Sequence, residues 1–264
     1  MIIAERKPLN EIKSFIEQYK KILIAGCGTC ATVCLAGGET EVKVVASGLR
    51  IGFLQEDREI EILEDCVPRQ CEPEFVEKIV KRVQEEGVEA VLSLGCGVGV
   101  NFLSDKLETV PVFPGVNTKF FGATVEPGVW VEMCAGCGNC ILHLTGGICP
   151  IARCSKSMLN GPCGGSKDGK CEISPDVDCG WYLIVERMKK IGTLHRLEEI
   201  LPPRDWSTSH AGGPRRVIHE DFLPTFGGGE EAASGETRKE PLPVRTEKER
   251  KGTGEQERRC RPPS

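Results

Sequence analysis

The stretch KILIAGCGTC, residues 21–30, joins an apolar run rich in β-branched residues to two cysteines that are separated by two residues. Four further apolar runs of similar composition are EVKVVA (41–46), EIEILE (59–64), AVLSLG (90–95) and VPVF (110–113). Short runs of this kind between helical patterns predict the buried strands of a largely parallel sheet. The sequence therefore predicts a small α/β domain with a parallel, Rossmann-like sheet over residues 1–125.

Two helices are predicted beside this sheet. EPEFVEKIVKRVQEEG (72–87) has a proline that suits a first helical turn, apolar residues at helical spacing, and Gly87 as a cap at its end. NEIKSFIEQYKK (10–21) predicts an earlier helix that leads into the first strand. Alternation of strands and helices supports the α/β class.

Cysteines follow three of the predicted strands. The carboxyl ends of parallel strands lie on one edge of a sheet, so thiols that are distant in sequence are expected to converge there. The candidate metal ligands are Cys27, Cys30, Cys34, Cys66, Cys71 and Cys96. They predict a zinc site or an iron–sulfur cluster, with Cys27, Cys30, Cys66 and Cys96 as the first choice of ligands. A redox C-x2-C pair and small buried thiols that pack as apolar residues remain open alternatives. Neither GCGTC nor GCGVGV completes a dinucleotide-binding glycine motif, so bound NAD is not predicted.

A second segment, residues 126–206, is loop-rich and has the pattern C-x2-C-x2-C-x8-C-x4-C-x8-C-x7-C-x7-C. Its cysteines are Cys134, Cys137, Cys140, Cys149, Cys154, Cys163, Cys171 and Cys179. Eight thiolates suit two [4Fe-4S] clusters, glycines between them permit tight turns, and the Cys-Pro step at residue 149 is typical of bacterial ferredoxin ligands. Two structural zinc sites and a disulfide framework are the alternatives, and the spacing does not assign ligands to one cluster or the other. His143 is expected to lie on the surface or to support a ligand.

Composition excludes several classes of function. A formal net charge of −5 argues against nucleic acid as a partner. No apolar run is long enough for a membrane span, and charges in the first fifteen residues disagree with a signal peptide. The sequence thus predicts a cytoplasmic protein, in which clustered cysteines are more often metal ligands than disulfides. Residues 207–264 are predicted to form a linker and a disordered tail from Gly227 onward, with Cys260 an incidental thiol.

The second segment resembles a known family. The matching stretches are CAGCGNC (134–140), GGICPIARCSKSMLNGPCGG (146–165), GKCEI (169–173), DCGWYLIVERMKKIG (178–192) and LPPRDW (201–206). They resemble the methylenetetrahydrofolate reductase C-terminal-like domain, found in the small iron–sulfur subunit of acetogen-type methylenetetrahydrofolate reductases. The resemblance implies electron transfer to a separate flavin-bearing catalytic subunit, which reduces 5,10-methylenetetrahydrofolate to 5-methyltetrahydrofolate. It also implies an external electron donor, such as ferredoxin or another redox protein.

The residues themselves agree with a non-catalytic role. The sequence offers no convincing general acid–base set, and the chain has no room for a flavin barrel of roughly 250 residues. Hydride chemistry is therefore expected to belong to a partner, with single electrons supplied by this chain. The competing hypothesis is a zinc-binding structural or interaction subunit without a redox role.

Overall fold

Residues 1–219 are described by the computed structural model, in which the chain divides into two units. The first unit comprises Met1–Ala135 together with Cys149–Ser157, and the second comprises Gly136–Ile148 together with residues 158–219. The domain boundaries expected at residues 125 and 206 stay predictions. The tail predicted to be disordered from Gly227, and Cys260 within it, lie outside the described residues.

The first unit is built on two sheets. Its strands are β1 (Ile2–Arg6), β2 (Lys21–Cys27), β3 (Glu61–Val67), β4 (Ala90–Ser93), β5 (Val112–Pro114), β6 (Val116–Glu126) and β7 (Val129–Cys134). A parallel sheet has the order β3-β2-β4-β5, which confirms the predicted parallel sheet and four of its five predicted strands. An antiparallel sheet with the order β1-β6-β7 was not predicted from the sequence.

The helices of the first unit are α1 (Leu9–Ile16), α2 (Cys30–Val33), α3 (Glu39–Leu54), α4 (Pro73–Glu86), α5 (Gly97–Lys106) and α6 (Pro150–Arg153). The two predicted helices are confirmed as α1 and α4. Helix α4 begins at its proline, as expected, because a missing N–H costs nothing in the first turn. It ends at Gly87, whose φ of 62° is the left-handed conformation of a glycine cap.

The strand predicted over residues 41–46 is wrong, because this stretch is part of α3. Its valines are β-branched, which favoured a strand, but the buried positions Val42, Val45, Ala46, Leu49 and Phe53 recur at helical spacing. The helix start is fixed by the Glu41 carboxylate, which accepts a hydrogen bond from the backbone N–H of Gly38 at 2.9 Å. Packing of one apolar face therefore outweighs the local strand preference.

The parallel sheet is buried on both faces. On β2, Ile22 and Ile24 pack with buried residues of α1 and α3, whereas Leu23 and Ala25 pack with buried residues of α4 and α5. All four side chains are fully inaccessible to solvent. A strand covered on both faces reads as a continuous apolar run, which is why the sequence predicted this part of the fold correctly.

The second unit has short elements joined by loops. They are the 3-10 turns Leu142–Leu144, Leu194–Glu198, Trp206–Thr208 and His210–Gly212, the strands β8 (Lys170–Cys171) and β9 (Ser174–Asp178), and the helix α7 (Gly180–Lys190). Helix α7 buries Trp181, Ile184 and Met188 on one face. The Trp181 indole N–H donates to the carbonyl of Met158 at 2.9 Å, so α7 is tied to the loop before it. Within residues 1–219, no helix combines the length and the apolar character needed to cross a membrane.

Candidate functional site

The first group of thiols lies at the carboxyl edge of the parallel sheet. Cys27 is the last residue of β2. Cys66 on β3 pairs in register with Gly26, the residue that precedes Cys27. Cys96 directly precedes α5, which follows the end of β4. Because β2 lies between β3 and β4, the order of the strands places Cys27 between the end of β3, which carries Cys66, and the connection after β4, which carries Cys96.

Electrostatic interactions join four of these thiols. Burial raises the pKa of the Cys66 thiol, and negative charge on Cys27 raises it further. Burial likewise raises the pKa of Cys71, with additional contributions from Cys27 and Cys96. Cys27, Cys66, Cys71 and Cys96 therefore form one interacting group, which we call the edge thiols. At Cys66 and Cys71, burial and repulsion from neighbouring thiolates both raise the pKa and so favour the neutral thiol, and a bound cation would reverse that preference.

The other two cysteines among the six candidate ligands, Cys30 and Cys34, have different surroundings. Cys34 is buried in the core on the α1 and α3 side, and its thiol donates to the Ile2 carbonyl at 3.4 Å. Burial raises the pKa of Cys34, and negative charge on Cys30 adds to that rise. Cys30 is the first residue of α2. The assignment of all six as metal ligands stays a prediction.

Gln70 fixes the loop after β3, which carries the edge thiol Cys71 and follows Cys66 on the strand. Its side chain is completely buried, and its amide donates to the carbonyls of Ala25 at 2.8 Å and Gly26 at 3.0 Å. Its Oε1 accepts from the Ser93 hydroxyl at 2.5 Å. One side chain thus ties the loop after β3 to the ends of β2 and β4. Sequence reasoning missed Gln70, since a glutamine in a loop carries no signal of burial.

Gly26 is required for the close approach of Cys66 to β2. A Cβ atom on Gly26 would lie 2.7 Å from Val42 Cγ2 and 2.9 Å from Cys66 Sγ, and both distances are too short for real contacts. Any side chain at this position would move either α3 or the Cys66 thiol. The glycine that ends the apolar run of β2 therefore contributes to the placement of the edge thiols.

The eight cysteines of the second segment are divided between the two units. Cys134, Cys149 and Cys154 belong to the first, and Cys137, Cys140, Cys163, Cys171 and Cys179 belong to the second. Of these cysteines, Cys137, Cys140, Cys149, Cys154, Cys163 and Cys179 are free thiols. His143 is exposed, as expected for a surface residue.

Helix starts and tight turns position several of these thiols. Cys149 immediately precedes α6, and its Sγ accepts from the Ala152 N–H at 3.5 Å. Cys179 immediately precedes α7, whose positive end favours negative charge on sulfur. In the CAGCGNC stretch, Gly136 and Gly138 have φ values of 60° and 84°, which only glycine adopts without strain. The two glycines therefore let the backbone bend sharply on both sides of Cys137.

Cys137 also receives a charged donor that sequence reasoning missed. A guanidinium nitrogen of Arg204 lies 2.9 Å from Cys137 Sγ, and the two residues are 67 positions apart in the chain. Arg204 belongs to the LPPRDW stretch that carries part of the resemblance, which was the only signal pointing to it.

The donor set suits thiolate-bound metal, although within residues 1–219 no three His, Cys, Asp or Glu side chains stand arranged to hold a metal ion. Free thiols, sharp glycine turns and N–H donors aimed at sulfur are the features by which proteins hold iron–sulfur clusters. Cysteine thiolates also bind zinc, so the edge thiols fit either group.

Comparison with known proteins concerns the second segment. Residues 113–207 match the family model described as methylene-tetrahydrofolate reductase C terminal. This match supports the resemblance at the level of the family, and it includes all eight cysteines of the second segment. The match begins within β5, earlier than the resemblance seen over residues 126–206.

Two further comparisons cover whole proteins and solved structures. The search of curated proteins found no match. Among solved structures, one match is a crystal structure of an extracellular ligand-binding receptor from Verminephrobacter eiseniae ef01-2. Its identity is 13% and its TM-score is 0.30, and the match covers 40% of this chain and 28% of that one.

Proposed function

We propose that this chain is an iron–sulfur electron-transfer subunit of a methylenetetrahydrofolate reductase. Its partner is a flavin-bearing catalytic subunit that reduces 5,10-methylenetetrahydrofolate to 5-methyltetrahydrofolate. The observation that carries the proposal is the family match over residues 113–207, because it encloses eight closely spaced cysteines. The family suggests a folate reductase as the partner. Eight cysteines suit cluster binding and single-electron transfer, whereas hydride transfer to the substrate needs a flavin.

The proposed ligands of two [4Fe-4S] clusters are Cys134, Cys137, Cys140, Cys149, Cys154, Cys163, Cys171 and Cys179. Clusters of this type accept and release single electrons, which is the chemistry that they would supply to a flavin in the partner. The chain's own residues orient the sulfur atoms. The Ala152 N–H donates to Cys149, the start of α7 favours charge on Cys179, and Arg204 donates to Cys137.

We propose a second, separate role for the first unit's Rossmann-like sheet. The edge thiols Cys27, Cys66, Cys71 and Cys96 bind zinc or a third cluster, because a bound cation stabilises the thiolate form that burial and neighbouring thiolates disfavour at Cys66 and Cys71. Cys66→Ser and Cys96→Ser should each lower the metal content of the purified chain. Cys34→Ser is the matched control, since that thiol lies in the apolar core and donates to a backbone carbonyl.

Two cysteine variants of the second unit test the proposed function. Cys137→Ala and Cys163→Ala should each remove iron and abolish electron transfer to the flavoprotein partner. Hydrogen exchange of β2 should remain slow in both, because this strand belongs to the first unit's core. Ser166→Ala is the control, as it changes the same segment and keeps every thiol. Unchanged iron content in both cysteine variants would refute the ligand assignment.

Electron transfer itself is measured on the complete complex. The full chain and the flavoprotein are purified together without oxygen, and flavin reduction is followed after addition of reduced ferredoxin or another low-potential redox protein. We place this activity in the cytoplasm, where reducing conditions keep thiols available as ligands. Flavin reduction that proceeds equally well with the cysteine variants would contradict the electron-transfer role.

A further inference from the structure

The strongest unassigned feature is the segment of residues 204–215, which lies on the CAGCGNC turn within the second unit. The Arg204 guanidinium donates to Cys137 Sγ at 2.9 Å and also donates to the carbonyl of Asn139. The same guanidinium lies over the Trp206 ring, 5.3 Å from its centroid. The guanidinium therefore lies between an aromatic face and the turn, and its Nη2 nitrogen makes both contacts with the turn.

Backbone contacts hold this segment against the turn independently of Arg204. The Thr208 hydroxyl donates to the Cys137 carbonyl at 3.0 Å, and Arg215 donates to the carbonyls of Gly136 at 2.7 Å and Thr208 at 3.1 Å. At Gly138, a Cβ atom would lie only 2.0 Å from the Thr208 carbonyl oxygen. The position of Arg204 is thus fixed by several anchors, which distinguishes it from a surface arginine that samples many conformations.

The surroundings of Arg204 favour a negative charge on the Cys137 sulfur. Its Nε atom is buried and has no hydrogen-bond partner among the described residues. A guanidinium is charged at every physiological pH, and partial removal from water costs free energy unless an anion is close. In the described part of the chain, the group that the guanidinium nitrogen meets at 2.9 Å is the Cys137 thiol. A thiolate ligand at that position would satisfy the charge.

We propose that Arg204 is a positioning residue for electron transfer, which holds the Cys137 sulfur and raises the reduction potential of the cluster bound there. This inference rests on the proposed function and names a residue that tunes it. Reduction adds one electron and one negative charge to the cluster, and no bond or proton transfer is needed. A fixed positive charge and a hydrogen bond on a ligand sulfur stabilise that added charge, so the reduced state gains more than the oxidised state.

The test compares three variants of the full chain with its clusters in place. Arg204→Gln removes the charge, Arg204→Lys keeps the charge but loses the fork of donors, and Arg215→Gln is the matched control. Arg215 anchors the same turn through backbone carbonyls alone. Midpoint potentials are measured by redox titration followed by electron paramagnetic resonance, and iron and sulfide are determined for every sample.

Arg204→Gln should lower one of the two midpoint potentials and leave the other near its wild-type value. We expect reduction of that cluster to be disfavoured about tenfold, which is about 59 mV for one electron. Arg204→Lys should shift the same potential less and in the same direction, and it preserves the test if the glutamine variant loses iron. Arg215→Gln should leave both potentials near wild type.

Equal shifts in Arg204→Gln and Arg215→Gln would overturn the inference, because they would assign the effect to anchoring of the turn. Unchanged potentials in both Arg204 variants would also overturn it. Wild-type protein that contains no iron and sulfide would refute the proposed function itself, and the inference would fall with it. Iron content and potentials therefore separate the two kinds of failure.

Discussion

Replacement of Gln70 by alanine should destabilise the edge of the parallel sheet where the edge thiols lie. The side chain makes three buried hydrogen bonds, two to carbonyls of β2 and one from Ser93. Each net hydrogen bond contributes about 1 kcal/mol, so the full loss is about 3 kcal/mol. Two partners keep another bond, since Ala25 O accepts from the Leu94 N–H and Ser93 Oγ accepts from the Gly95 N–H. We therefore expect a loss of about 2–3 kcal/mol.

Hydrogen exchange measured by mass spectrometry reports the loss of stability at individual strands. A change of about 1.4 kcal/mol is tenfold in an opening equilibrium, so amides of β2 and β4 should exchange roughly 30- to 140-fold faster in Gln70→Ala. Peptides from α7 in the second unit should exchange as in wild type. Gln84→Ala is the control, because Gln84 is exposed on α4.

The refuting outcome is also measured in β2 and β4. If Gln70→Ala and Gln84→Ala show the same protection in β2 and β4, the buried amide does not hold the loop after β3 to the sheet. Gln70→Glu offers a second check, since it keeps the shape but places a carboxylate beside two carbonyl oxygens. This variant should be destabilised at neutral pH and should recover part of the loss in acid, where the carboxyl is protonated.

Two further predictions concern the first unit. Gly26→Ala should lower the free energy of unfolding by about 1–3 kcal/mol in urea titration, because the new methyl group overlaps Val42 and Cys66, and wild-type stability would show that α3 can move. The Glu89 carboxylate accepts from the backbone N–H groups of Lys20 and Lys21, which lowers its pKa. Its stabilising effect is therefore present above the unfolded pKa and lost as the pH falls through the lower folded pKa, so the melting temperatures of Glu89→Gln and wild type should converge in acid. A difference that does not depend on pH would contradict this explanation.

The parallel sheet could be predicted from sequence because burial on both faces leaves a direct pattern. Ile22, Leu23, Ile24 and Ala25 are all fully buried, so β2 reads as one apolar run. Residues 41–46 form part of α3, because the helical spacing of their buried residues outweighs the strand preference of their β-branched side chains. The antiparallel sheet was missed since only two of the eleven positions of β6 are buried, and its apolar residues therefore do not alternate with polar ones in a pattern of burial.

In the candidate sites too, some features could be predicted from the sequence and others could not. Topology alone places the ends of β2, β3 and β4 on one edge, and therefore predicts that their cysteines lie close together. Gln70 and Arg204 could not be predicted, because each acts on groups far away in the chain, 45 and 67 residues from its own position. Long-range contacts of single polar side chains leave no periodic trace in a sequence.

The measurement that tests the central claim most directly is the iron, acid-labile sulfide and zinc content of the full chain purified without oxygen. Two four-iron clusters require about eight iron atoms and a matching amount of sulfide per chain, and the electron-transfer account predicts that result. About twelve would indicate a further cluster at the edge thiols. Zinc without sulfide would contradict the account, because the cysteines would then be structural and the chain could not carry electrons.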